Sequence, residues 1–187
     1  MDKTPASLLE RLRRPEEGAW PRFVDLYTPL LYYWARRMGL QEADAADLVQ
    51  DVFTILLQKF PEFSYDKNKS FRSWLRTVTV NRWRDNIRRK TASLRNAGQA
   101  ALEDVALPDD AEALWEKEYR EHLVARAAEM MQAEFQPATW QAFWSLAVEG
   151  KSGAEVAAAL GLSVDAVYAA KARVLRRLRQ ELDGMLE

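Results

Sequence analysis

Apolar positions recur at helical spacing along most of the chain, and no stretch shows the two-residue alternation of a half-buried strand. After a Thr4–Pro5 pair that resembles a helix start, Leu8, Leu9 and Leu12 form a short stripe ending before Pro15. Trp20, Phe23, Leu26, Tyr27, Leu30, Leu31 and Trp34 carry a second, longer helical pattern, read as core and closed by Gly39. Pro29 is predicted to bend or break it. A third helix is predicted over 43–60, with Leu48, Val52, Phe53, Leu56 and Phe60 on one side and Pro61 as its stop. The polar, turn-rich PEFSYDKNKS at 61–70 reads as a loop. The helix that follows, 70 to about 90, has apolar residues on two sides: Phe71, Trp74, Leu75 and Val78 on one, Val80, Trp83 and Ile87 on the other. The second stripe is expected to pack on the N-terminal helices rather than leave Trp83 exposed.

Periodicity then lapses. Residues 92–113 gather Asn96, Gly98, Pro108 and acidic side chains, the signature of a flexible linker. Helical pattern resumes at about 114–135 and again after Pro137, where Trp140, Phe143, Trp144 and Leu146 are apolar, and Gly150 ends it. In the last segment Ser152 stands three residues ahead of Glu155, the spacing of a capping box. Gly161 suits a sharp corner that needs positive φ, and Ser163 can cap a further helix. Small Ala157, Gly161 and branched Val167 have the spacing of a helix-turn-helix. On its second helix Val164, Val167, Val174, Leu175, Leu178 and Leu182 are predicted to pack, while Arg173, Arg176, Arg177 and Arg179 fall broadly on the other side. Small Ala166 and Ala169 would let that side approach a groove. The fold class is therefore all-α: two helical domains, 1–91 and 114–187, joined by an acidic linker over 92–113.

Charge sharpens this picture. The net charge is only −1, but it is segregated: 76–90 and 171–179 are basic, whereas 103–121 is acidic. Such blocks predict two DNA-facing surfaces joined by a segment that avoids DNA. Asp44, Asp47 and Asp51 share one face of the third helix, opposite its apolar side, and admit three readings: a hard-cation site, a solvated face, or a docking surface for a basic partner. Arg76, Asn81, Arg84 and Arg88 mix cationic and amide groups beside aromatics, which suits a nucleic-acid strand. Without cysteine, and with His122 the single histidine, thiol chemistry is excluded and histidine clusters are impossible. There is no phosphate-binding glycine loop and no nucleophile beside a base, so no enzyme activity, cofactor or metal is expected. No apolar run is long enough for a bilayer and no signal-peptide pattern opens the chain; a cytoplasmic protein without membrane insertion is expected.

The order of DAADLVQDVF at 44–53, SFRSWLRTVTVNRWRDNIRR at 70–89 and the C-terminal helix-turn-helix resembles the extracytoplasmic-function class of RNA polymerase sigma factors, which keeps the second and fourth sigma domains. The resemblance implies a protein that binds core RNA polymerase through its beta and beta-prime subunits, directs it to promoters and helps melt the DNA. It assigns Asp47, Gln50 and Asp51 to the polymerase clamp helices, which gives the acidic face its basic partner. It assigns Ser64, Tyr65, Asp66, Lys67, Asn68, Lys69, Ser70 and Asn81 to capture of an unstacked non-template base of the minus-ten element. Arg84, Arg88 and Arg89 join that minus-ten surface at the helix's basic end, with Lys90 beside them. Trp74 stands where larger members carry a tryptophan wedge, although Phe71, Leu75 and Val78 favour core packing for it here. For the minus-thirty-five element the implied residues are Ser163, Asp165, Ala166, Tyr168, Ala169, Lys171, Arg173, Arg176 and Arg177. Tyr168 and Ala170 stand where many members are basic, which makes Arg173 and Arg176 the expected contacts. An anti-sigma factor is the implied regulator. Two other readings compete on the residues alone: a stand-alone helix-turn-helix operator-binding regulator, which leaves 44–53 and 70–89 unexplained, and a helical adaptor protein, which leaves the segregated arginines unexplained.

Overall fold

A computed structural model describes residues 7–14, 16–60, 70–96 and 111–186. The predicted helix start at Thr4–Pro5, the loop residues 61–69 and linker residues 97–110 lie outside the described residues. The elements are α1 (Leu8–Arg13), α2 (Ala19–Arg37), α3 (Glu42–Lys59), α4 (Phe71–Asn96), α5 (Ala111–Met131), α6 (Pro137–Ala147), α7 (Gly153–Leu160) and α8 (Val164–Glu181), with one 3-10 turn at Gln132–Glu134. Among the described residues there is no strand, and no single helix is long and apolar enough to cross a membrane.

The chain divides into two compact units. One spans Leu9–Leu123 and takes back the closing residues from Gly184; the other is built on Val124–Asp183. The division falls inside α5, later than the boundary at 114 that loss of periodicity suggests.

In the first unit α2, α3 and α4 pack around an aromatic hub. Phe23 is fully buried, and its ring centroid lies 4.6 Å from Tyr27, 5.9 Å from Phe71 and 6.1 Å from Phe53. α2 runs unbroken through Pro29. Pro29 is exposed, as is Asp25 one turn earlier, so the proline ring and its missing N–H fall on the solvent side of the helix rather than in the core. α2 ends where Gly39 takes φ 85°: Gly39 N–H donates to Arg36 and Leu40 N–H to Ala35, the double hydrogen bond that a left-handed glycine allows. α4 extends beyond the predicted end at 90 to Asn96. Its second stripe packs as expected, with Trp83 2% exposed, while Trp74 is half-buried with its edge on Phe60.

The start of α5 belongs to this unit. Trp115 stacks on Trp34 with centroids 3.8 Å apart, and the Tyr119 and Tyr27 hydroxyls hydrogen-bond at 2.7 Å. Tyr119 also donates to the Met185 carbonyl at 2.8 Å, tying down the chain's end. Burial raises both tyrosine pKa values well above 10, so both stay neutral donors through physiological pH. Glu118 accepts from Tyr33 and pairs with Arg37, and Glu116 pairs with Arg72 at 3.0 Å.

In the second unit α6, α7 and α8 close on Ala142, Val156, Ala157, Val167 and Ala170, with Leu146, Leu160 and Leu162 packed against them. Alanines at the centre let the helices approach closely. The predicted capping box is present: Glu155 N–H donates to Ser152 Oγ at 3.3 Å, and Ser152 N–H donates to the Glu155 carboxylate at 2.8 Å. Gly161 sits at φ 64°, Ser163 Oγ accepts from Ala166 N–H, and α7 and α8 meet at 102°, within the range of helix-turn-helix pairs. Val164 differs from expectation. It stands at the first position of α8, ahead of the turn that packs, and is 42% exposed.

The Ser152 hydrogen bonds hold the Glu155 carboxyl below its ordinary pKa of 4.5. Between the folded and unfolded values the unfolded chain binds the extra proton. The stabilisation is therefore complete above about pH 4.5 and is lost as pH falls through the folded value. We expect acid titration of wild type to unfold α7 earlier than neutral-pH stability suggests, and Glu155→Gln to flatten that slope; identical slopes in circular dichroism would contradict the assignment.

Candidate nucleic-acid interface

Three surfaces gather the residues singled out in the sequence. On α3 the acidic row is divided by its neighbour α4. Asp51 accepts Arg82 Nε and Nη2 on one oxygen at 2.9 and 2.8 Å, and Asp44 pairs with Lys90. Asp47 and Gln50 remain exposed between them. The row is thus not a bare solvated face: two of its three carboxylates are paired with cations of α4. Arg82 and Lys90 were not legible as its partners, because pairing across more than thirty residues leaves no local periodicity to detect. Between α3 and α4 runs a shallow groove lined by these acidic and basic side chains, Asp47 included, together with Leu40, Asn86, Ile87 and Arg89.

On α4, Asn81, Arg84 and Arg88 recur at helical spacing and are all exposed, and Arg89 is exposed beside them. Arg88 has only a loose contact, 4.0 Å, to Asp85. Arg76 departs from this set: it is half-buried, with its guanidinium 5.7 Å above the Trp115 ring. Ser70 caps α4 by accepting from Ser73 N–H at 3.2 Å, which gives its hydroxyl a structural task. Ser64, Tyr65, Asp66, Lys67, Asn68 and Lys69 lie outside the described residues.

On α8, Asp165, Ala166, Tyr168, Ala169, Arg173 and Arg176 are exposed and Lys171 is half-buried. Ser163 spends its hydroxyl on the cap of α8. Arg177 is a correction to the cationic face. It pairs with Glu134 at 3.1 Å and with the buried Glu181 at 2.9 Å, because its position on α8 turns it toward the 3-10 segment that carries Glu134. From α8 the Tyr168 ring reaches Gly153 of α7: a β-carbon added there would come within 2.8 Å of Tyr168 Cε2. That glycine was not recognised as a contact in the sequence, where it reads only as the residue after a cap.

Comparison with known proteins fits this arrangement. The sigma-70 region 2 profile matches residues 23–93, which cover most of α2, all of α3 and nearly all of α4. RNA polymerase sigma factor NccH of Alcaligenes xylosoxydans xylosoxydans is 29% identical over 174 residues, 92% of this chain and 91% of that protein. RNA polymerase sigma factor CnrH of Cupriavidus metallidurans is 30% identical over 173 residues, 90% of this chain and 88% of that protein. A solved structure of CnrH in complex with the cytosolic domain of CnrY matches 95% of this chain and 96% of that one, at 23% identity and a TM-score of 0.38. With a relative of this identity aligned over nearly its whole length, and a region 2 helical unit followed by a helix-turn-helix unit, the chain belongs to the RNA polymerase sigma factors, in their extracytoplasmic-function class.

Proposed function

We propose that this sigma factor docks on core RNA polymerase through the exposed Asp47 and Gln50 of α3, engages the minus-ten element through α4 and the segment before it, and engages the minus-thirty-five element through α8. The single observation that carries this reading is the sorting of charge on α3 and α4. Asp44 and Asp51 are taken up by Lys90 and Arg82, which leaves Asp47 and Gln50 to face a partner and Asn81, Arg84 and Arg88 to face DNA, with Arg89 at the edge between the two surfaces. Core polymerase, through its beta and beta-prime subunits, supplies the basic counterpart.

Melting follows from the chemistry of the α4 surface. Unstacking a base costs a few kcal/mol, and a pocket that binds only a fitting base repays that cost, so strand opening becomes sequence-dependent. Exposed arginines hold the strand's phosphates without reading sequence. The net charge of −1 then acts as a brake: isolated chain binds duplex weakly, and polymerase provides the additional grip. An anti-sigma factor that covers the α3 face is the regulatory partner, and the site of action is the cytoplasm.

Co-elution with bacterial core polymerase tests this directly. Asp47→Arg reverses an exposed charge outside the Asp51–Arg82 and Asp44–Lys90 pairs, and should weaken co-elution about tenfold or more while leaving helicity unchanged. Asp51→Arg also places a cation against Arg82 and should lower stability as well as binding. If Asp47→Arg co-eluted like wild type, α3 would not be the docking face.

A further inference from the structure

We propose that the first two turns of α8 recognise thymine by its 5-methyl group, with Val164 and Tyr168 as the methyl-binding pair and Gly153 fixing the Tyr168 ring. The inference deepens the reading of α8 as the promoter-facing helix and rests on it.

The leading half of α8, VDAVYAA, offers little for hydrogen-bonded readout. It holds no arginine or lysine to fork onto guanine and no asparagine or glutamine to pair with adenine; Asp165 is its one charged side chain. What it does present is apolar. Five large hydrophobic residues are exposed among the described residues, and two of them, Val164 at 42% and Tyr168 at 52%, lie four positions apart on α8. That spacing stacks them on one face, and Ala172, exposed at the next such position, continues the line. In the major groove the apolar feature that separates one base from the other three is the thymine methyl.

Position and rigidity support the same occupant. Tyr168 Cζ and Oη would each lie 2.9 Å from a β-carbon at Gly153, so the ring rests on a bare α-carbon of α7, with half its surface open. A ring held this way loses little freedom when a partner covers it. Exposed Ala169 beside it allows close approach, and exposed Arg173 and Arg176, one to two turns on, suit the flanking phosphates. Burying one methyl gives about a fourfold preference for thymine over uracil, the factor that ~0.8 kcal/mol supplies at room temperature.

Uracil interference provides the test. Full-length chain loaded on core polymerase selects from random upstream duplexes in which part of the thymine is replaced by uracil, and the retained duplexes are sequenced. We expect uracil to be depleted three- to fivefold at one or two neighbouring upstream positions. Tyr168→Ala should abolish the depletion at one of them, and Tyr168→Phe, which keeps the ring and drops the hydroxyl, should retain it. Gly153→Ala, which must displace the ring, should weaken it. Selection of an upstream sequence with uracil tolerated throughout would overturn the inference while leaving α8 as the promoter-facing helix. Depletion that survives Tyr168→Ala would overturn it as well. Failure to select any upstream sequence, although chain and core co-elute, would remove the α8 reading and the inference together.

Discussion

Phe23→Ala is expected to destabilise the first unit by about 3–5 kcal/mol, toward the upper end of what truncating a buried aromatic costs. Phe23 is fully buried, and its ring meets those of Trp20, Tyr27, Phe53, Phe60 and Phe71, which bring α2, the α3 terminus and the start of α4 to one point. Removing the ring leaves a cavity that five other rings cannot easily collapse into, and it also forfeits edge-to-face contacts worth up to about 1 kcal/mol each. Domains of this size hold only about 5–15 kcal/mol in all, so the variant should be partly unfolded at growth temperature. Urea unfolding followed by circular dichroism measures the loss. Phe23→Leu, which keeps most of the volume, should recover the greater part; a loss under about 1 kcal/mol for alanine would show that the hub does not organise the bundle.

Trp115→Ala should cost about 3 kcal/mol, but locally. Trp115 is 9% exposed, lies face to face with Trp34 and carries the Arg76 guanidinium on its ring. Its loss should release the start of α5 while the α2–α4 bundle stays folded. Hydrogen exchange separates the two variants: amides of 115–123 should lose tenfold or more of their protection in Trp115→Ala, whereas Phe23→Ala should lower protection across α2, α3 and α4 together. Unchanged exchange in α5 would mean that the tryptophan stack contributes nothing to its docking. Trp115→Phe should lie between, since a smaller ring can still stack.

Much of the architecture was legible from local pattern. The 3.6-residue stripes placed α2, α3, α4, α6 and α8, and the Ser152 and Ser163 caps with Gly161 placed the turn between α7 and α8, because caps and corners depend on residues a few positions apart. Two kinds of feature were not legible. Pro29 argues for a break when read locally, yet α2 continues because Pro29 falls on its exposed side. The first residues of α5 sit beside an acidic, aperiodic stretch and read as the edge of a linker, but Trp115 and Tyr119 find Trp34 and Tyr27 more than eighty positions earlier in the chain.

The candidate interface divides in the same way. That α3 is acidic on one side, that α4 offers amide and arginine groups, and that α8 carries both alanines and arginines all follow from side-chain period, and so did the family. Which charges are spent internally did not. Asp51 and Arg82, Asp44 and Lys90, and Arg177 with Glu134 each pair across distances in sequence that no periodicity encodes. The same holds for Tyr168, whose ring meets Gly153 only once α7 and α8 cross at 102°. Sequence by itself determined the helices, their faces and the turn, since these are set by contacts within about seven residues. Tertiary structure decided where the chain divides, which charged groups remain for partners and which exposed side chain is held still, since an ion pair or a ring contact forms only after folding has brought distant positions within a few ångströms.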